Sequence, residues 1–403
     1  DFADPADLGD DNSGNGNDWT PSNLVGSAGL ATANQGFDVV TYTGNGGSQS
    51  ITGLSFQPDF VWIKNRSSFT NQTHALFDVI RGKQMLASNS TNSEANWHGS
   101  NGLPYRGYVD SFDSNGFSLA ANSASNLADY VNFNNTTYVA WCWKAGGTPS
   151  SNTDGTITSS VSANTTYGFS VGTYTGSYSS QPTSLDTVGH GLGAAPALII
   201  SKSTSGTSSW HVWHSALANN EYLRLNSTNA KATLSIGAGG TIATAPTSTV
   251  FPTYFIGGSN NGSSDDLVFY CWSEVSGFSK FGSWTGNGST TGPVVTTGFK
   301  PRFLLWKRAD SAANWAIVDS ARSTSNPRDE WLGPNSSSAE SANNAAYAID
   351  FLDDGFQIKA THEATNVNGG TYIYAAYADK PDGSIIDSLI DTPTNYEAES
   401  GNN

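Results

Sequence analysis

Carboxylate pairs, two closely spaced histidines, an acidic loop and scattered aromatics are the residues that could do chemistry in this 403-residue chain. Glycoside hydrolysis needs two carboxyls roughly 5–9 Å apart. Asp265-Asp266, Asp329-Glu330 and Asp353-Asp354 qualify by residue type alone, because each pair is adjacent in sequence within a stretch that reads as a turn. His211 and His214 stand three apart in Trp210-His211-Val212-Trp213-His214. On a strand, residues so spaced point to opposite faces and cannot clasp one zinc ion. His362-Glu363 lacks the second histidine of a zinc helix, and neither a G-x-S-x-G elbow nor a G-x-x-x-x-G-K-[ST] phosphate loop occurs. The expectation is a protein that is not an enzyme. Calcium is the one cofactor the sequence invites. Asp10, Asn12 and Asp18 offer hard oxygens on a Gly-interrupted loop with Asp11, Asn15 and Asn17. The match to the calcium-loop pattern D-x-[DN]-x-[DN]-G is imperfect, with Gly14 at its fifth place. Trp97, Tyr105, Tyr178 and Trp331 lie in irregular polar stretches and are the expected glycan-stacking residues.

The elements that must position these groups are strands. Charged residues make up only 13 %, while 43 Gly alternate with Ser, Thr and Asn. Twelve Trp, 16 Tyr and 19 Phe rule out a disordered composition. Aromatic and β-branched runs between Gly/Asn/Ser turns predict an all-β chain. A net charge of -16 argues against nucleic acid as a partner, since phosphates would be repelled. No run of 18 apolar residues occurs, so no membrane insertion is expected. The chain opens on Asp1 with no initiator methionine, and its one methionine is Met85, so an internal or processed piece of a longer protein is expected.

Four landmarks recur three times in the same order. An aromatic-Thr-Gly turn appears at Tyr42, Tyr174 and Trp284. Proline followed six residues later by lysine spans Pro58 to Lys64, Pro196 to Lys202 and Pro301 to Lys307. L-x-x-N-S-[ST] begins at Leu86, Leu223 and Leu332. An aromatic strand covers 138–144, 267–273 and 372–378. Such self-similarity predicts triplication. The expected organisation is repeat 1 over 35–147, a linker over 148–164, repeat 2 over 165–276 and repeat 3 over 277–381. A further module is expected to be interrupted into flanks at 1–34 and 382–403. Each repeat is expected to be a separate β-sandwich, jelly-roll-like, with its own hydrophobic interior holding Trp62, Ile200 or Leu305. D-S-N-G-F and D-D-G-F read as hairpin turns whose glycine supplies positive φ. Cys142 and Cys271 occupy one position in two repeats, so they are expected as separate buried thiols. Lys64, Lys202 and Lys307 are expected to snorkel or to pair with carboxylates. Asn89, Asn226 and Asn335 are expected to staple turns through side-chain to backbone bonds. Asp78, His214 and Asp319 align, and a catalytic group would not change type between copies, so they read as structural strand ends.

The segment F-A-D-P-A-D-L-G-D-D-N-S-G-N-G-N-D-W-T at the start and D-S-L-I-D-T-P-T-N-Y near the end resemble a laminin-G/concanavalin-like flank of bacteriophage tail-fibre-type virion proteins. Y-T-G-N-G, G-L-S-F-Q-P-D-F-V-W-I-K-N-R-S, S-F-D-S-N-G-F and Y-V-A-W-C-W-K-A-G resemble a phage-associated domain family of uncertain function. The resemblance implies a virion structural protein that projects β domains for recognition of a host cell-surface glycan. It also implies other virion proteins as partners, a trimeric homo-oligomer, and a location on the particle surface. A capsid decoration or filament subunit is one alternative, and a polysaccharide depolymerase is another.

Overall fold

The computed structural model describes residues 35–67, 73–121, 130–177, 186–234, 244–253 and 264–379. Unit 1 contains β1 (Phe37–Thr43), β2 (Gln49–Thr52), β3 (Phe60–Asn65) and β4 (His74–Asp78), then β5 (Tyr108–Asp113), β6 (Gly116–Ala120) and β7 (Thr137–Trp143). Two short strands follow, β8 (Ser150–Asn152) and β9 (Ser159–Asn164). Unit 2 contains β10 (Phe169–Thr175), β11 (Thr187–Gly189), β12 (Leu198–Ser203) and β13 (His211–His214). It continues with β14 (Glu221–Arg224), β15 (Ala232–Thr233), β16 (Val250–Pro252) and β17 (Asp266–Trp272). Unit 3 contains β18 (Ser279–Thr285), β19 (Val294–Thr296), β20 (Pro301–Arg308) and β21 (Trp315–Asp319), then β22 (Ile349–Leu352), β23 (Gly355–Ile358) and β24 (Thr371–Ala378).

The chain is all-β, built of sandwich layers. Each unit has a main antiparallel sheet in which the last strand lies between the first and second, with the third beyond the second: β1-β7-β3-β4, β10-β17-β12-β13 and β18-β24-β20-β21, the unit 2 sheet continuing past β13 into β14 and β15. Trp62, Ile200 and Leu305 face Trp141, Tyr270 and Ala375 at matching places in the three ladders. A smaller sheet covers one face of each: β2-β6-β5, β11-β16 or β19-β23-β22. Residues 148–164 are not a plain linker. They form β8 and β9, which extend the unit 2 sheet beyond β10. This hairpin is mostly Ser, Thr and Asn, with Val161 its one deeply buried aliphatic, so apolar alternation was too weak to reveal it.

The second and last strands of each main sheet are apolar on both faces because two different layers cover them. In unit 1, Val61, Ile63, Phe77 and Cys142 face the small sheet and meet Ile51, Phe117 and Leu119. In unit 2, Ile199, Phe269 and Cys271 do the same with Val188 and Phe251. The opposite faces meet one another. Phe60, Trp62 and Trp143, Leu198, Ile200 and Trp272, and Phe303, Leu305 and Tyr377 belong to one apolar cluster drawn from all three units. Phe60 lies 4.4 Å from Tyr270 and Trp143 lies 5.9 Å from both Trp272 and Tyr377, measured between ring centroids. The expectation of three separate interiors around Trp62, Ile200 and Leu305 is therefore corrected. These residues are equivalent, but they share one interior because each sheet's second apolar face needs a cover that its own unit lacks.

Hairpin turns do join β5 to β6 and β22 to β23. Gly116, however, is not at positive φ. A Cβ there would lie 1.8 Å from the Ile51 carbonyl oxygen, and one on Gly355 would lie 2.0 Å from that of Val295. Close approach of the neighbouring strand is what requires glycine at Gly116.

Candidate functional site

Polar side chains and backbone groups bond across three junctions between units. Three sets of equivalent bonds build them. First, the residue at the start of the third main-sheet strand, or just before it in unit 2, bonds a carbonyl of the preceding unit. Trp210 Nε1 donates to Ala87 O (2.8 Å), Trp315 Nε1 to Arg224 O (2.9 Å), and His74 Nε2 to Gly333 O (3.0 Å). Trp62 Nε1 donates to His74 Nδ1, which leaves the proton on Nε2. Burial holds His74 well below the usual imidazole range. Second, the amide eight residues after each landmark leucine donates to the unit that follows. Glu94 N bonds Thr204 O (3.0 Å), Lys231 N bonds Ala309 O (2.8 Å), and Glu340 N bonds Arg66 O (3.0 Å). Third, the end of the third strand meets the last strand of the following unit. Asp78 Oδ2 accepts from Tyr270 OH (2.8 Å), Asp319 Oδ2 accepts from Trp141 Nε1 (3.0 Å), and His214 Nε2 donates to Tyr374 O (2.9 Å).

Each set runs from unit 1 to 2, from 2 to 3, and from 3 back to 1. Repetition of one heterologous contact with closure defines a ring. The chain thus builds within itself the arrangement of a cyclic trimer.

The third set explains the change from Asp to His between copies. Asp78 and Asp319 each receive a side-chain donor from the next unit and an arginine three residues on, Arg81 (2.6 Å) or Arg322 (2.7 Å). At the junction of units 2 and 3 the donor position is Ala375 and the arginine position is Leu217. A carboxylate there would be buried with neither an arginine nor a side-chain donor from the next unit, which is costly. His214 instead accepts from Ala216 N at Nδ1, donates from Nε2, and is kept neutral by burial, which lowers its pKa to about 4.

Asn89, Asn226 and Asn335 staple as expected: their Oδ1 atoms accept the amides of His74 (3.1 Å), Trp210 (2.9 Å) and Trp315 (2.9 Å). The lysine expectation is corrected. Lys64, Lys202 and Lys307 are fully buried, and alternation along their strands turns them to the shared interior. Lys64 Nζ donates to Asn65 O (3.0 Å), Lys202 Nζ to Ser203 O (2.6 Å), and Lys307 Nζ to Arg308 O. Strand-end carbonyls take the place of solvent or carboxylate. Burial lowers Lys64 to about 7 and the other two to about 8. Cys142 and Cys271 are free and buried, and burial raises both thiols well above their usual range.

Of the expected glycan residues, Trp97 and Trp331 are only 8 % exposed. Trp97 packs edge-on to Tyr130. Trp331 stacks on Tyr347 at 4.4 Å and donates from Nε1 to Trp315 O. Both hold loops down on the core and present no open ring face. Tyr105 is half-buried, shares a hydrogen bond with Tyr130 OH (2.9 Å) and has Arg106 over its ring. Trp97 and Tyr105 are thus brought together through Tyr130, whereas Trp331 belongs to unit 3. Tyr178, Asp10, Asn12 and Asp18 lie outside the described residues. Among the described residues, no three His, Cys, Asp or Glu side chains gather as metal ligands. Asp265-Asp266 and Asp353-Asp354 flank the sheets: Asp266 Oδ1 accepts from Thr175 Oγ1, and Asp353 pairs with Lys300.

Residues 32–381 match the model of a family described as Domain of unknown function (DUF7483). The chain belongs to this family. The DUF7483 match covers all three units as one block, the span that the ring bonds close. No curated protein matches the chain.

Proposed function

We propose that the chain is a virion structural protein of tail-fibre type, which displays its DUF7483 ring toward a host surface and recognises a glycan there. One observation carries the reading: the ring is entered and left at a single corner. Phe37 and Tyr377 pack with ring centroids 4.6 Å apart, and Arg302 bridges Asp38 (2.6 Å) and Asp379 (3.4 Å). A block with adjacent ends can be inserted into a carrier module without disturbing it. The junction surfaces are used within one chain, so a homotrimer would form through other surfaces. Partner virion proteins would be held through the flanks, and Tyr105 is the described aromatic that the glycan reading retains. Calcium at Asp10, Asn12 and Asp18 belongs to the same reading.

Immunogold labelling and cryo-electron microscopy of the particles tests this. Density for the ring on a projecting fibre is the expected result. Density on the capsid shell would favour the decoration alternative, and absence from particles would overturn the proposal. A glycan array probed with the full chain, beside Tyr105→Ala, tests the recognition part separately.

A further inference from the structure

The ring's internal symmetry lets one junction act as the reference for another. Where unit 3 meets unit 1, Arg66 lies across Glu340, with Nη2 2.7 Å from Oε1 and Nε 3.0 Å from both oxygens. Its Nη2 also reaches Glu330 Oε2 at 3.4 Å. Every group around Arg66 has a counterpart where unit 1 meets unit 2. Glu94 replaces Glu340, and each glutamate accepts from an equivalent arginine, Arg81 Nη1 (2.9 Å) or Arg322 Nη1 (2.8 Å). Gln84 replaces Glu330, and each lends its carbonyl to that same arginine (3.3 and 2.8 Å). Arg66 itself is replaced by Thr204.

Two consequences are visible. Gln84 Oε1, at the position where Glu330 receives Arg66, is buried with no partner. A cleft of about 530 Å³ opens beside the missing side chain, lined by Arg81, Glu94, Thr204, Asp266 and the hydroxyl-bearing Ser159 and Ser160. At the remaining junction Lys231 stands in the glutamate position and pairs with Glu221, so no acid waits there.

We propose that the cleft between units 1 and 2 binds a guanidinium or ammonium group of a ligand, which takes the place that the Arg66 side chain fills at the equivalent junction. Glu94 would receive it through a charge-assisted bond in a partly dry setting, with Asp266 and the serine hydroxyls around it. This inference does not depend on the virion reading.

The test is calorimetric titration of the full chain at pH 7 with arginine methyl ester and, separately, glucosamine, against glucose and sodium chloride at matched ionic strength. Saturable binding of one equivalent of a cationic ligand, with none of glucose, is expected. Binding of the ester alone identifies a guanidinium site, and binding of both identifies a general cation site. Thr204→Arg should weaken binding at least tenfold and raise the thermal midpoint by filling the cleft. If that variant fails to fold, Glu94→Gln should show the same loss of binding. No saturable binding to the native chain, or undiminished binding to the folded variant, overturns the proposal.

Discussion

Trp141→Phe compared with Trp141→Tyr tests the third set of ring bonds with an internal control. Trp141 is fully buried, and its Nε1 is 3.0 Å from Asp319 Oδ2. The phenylalanine variant removes a donor from a buried carboxylate, which costs about 1.5–3 kcal/mol. Shrinking the ring in a packed site adds about 1 kcal/mol. Asp319 keeps the Arg322 amide (2.9 Å) and Nε (2.7 Å), so the loss stays partial. Arg322 also rests 5.6 Å above the Trp141 ring, a contact that either substitute retains. Tyrosine is what unit 2 carries at this position, and Tyr270 OH reaches Asp78 Oδ2 at 2.8 Å. Trp141→Tyr should therefore recover about 2 kcal/mol relative to Trp141→Phe. Equilibrium denaturation in urea reads the difference directly. Equal midpoints for the two variants would refute the claim that an inter-unit hydrogen bond acts there.

Two further predictions follow from the same geometry. His214→Asp should destabilise by about 3–5 kcal/mol, because it buries a carboxylate against Tyr374 O with no arginine and no donor from unit 3. His214→Asn keeps a donor and should cost much less, and denaturation midpoints at pH 7 compare the two. The buried lysines give stability a slope in mild base. Their folded pKa values, about 7 for Lys64 and about 8 for Lys202 and Lys307, lie below the unfolded value of about 10.4. The unfolded chain then binds more protons, so stability should rise from pH 7.5 to about 9.5. Lys202→Met and Lys307→Met should flatten that rise, and an unchanged slope would contradict the burial of these ammonium groups.

Much of the fold was legible in the residues. The threefold recurrence of proline-to-lysine strands and L-x-x-N-S turns marks units whose main sheets share one strand order. The run Phe60-Val61-Trp62-Ile63 correctly announced a strand covered on both faces. It could not announce what covers them, because the sandwich interior and the inter-unit interior select the same apolar side chains. Ring closure joins residues as far apart as Arg66 and Glu340, and no local pattern encodes that pairing. A signal did exist: the loss of the Trp or Tyr donor at Ala375 coincides with the change from Asp to His at His214. Trp97 and Trp331 misled because a tryptophan that pins a loop to the core sits in the same polar sequence as one that stacks on a sugar. The cleft beside Glu94 was invisible in sequence, since Thr204 matters only by comparison with Arg66 three-dimensionally.

The central claim is that unit 3 returns to unit 1 and closes the ring. Site-resolved hydrogen exchange of the Glu94, Lys231 and Glu340 amides tests it most directly, since each crosses a different junction. Closure predicts slow exchange of all three, with Glu340 protected like the others. Rapid exchange at Glu340 beside slow exchange at Glu94 and Lys231 would mean an open row of units, and would contradict it.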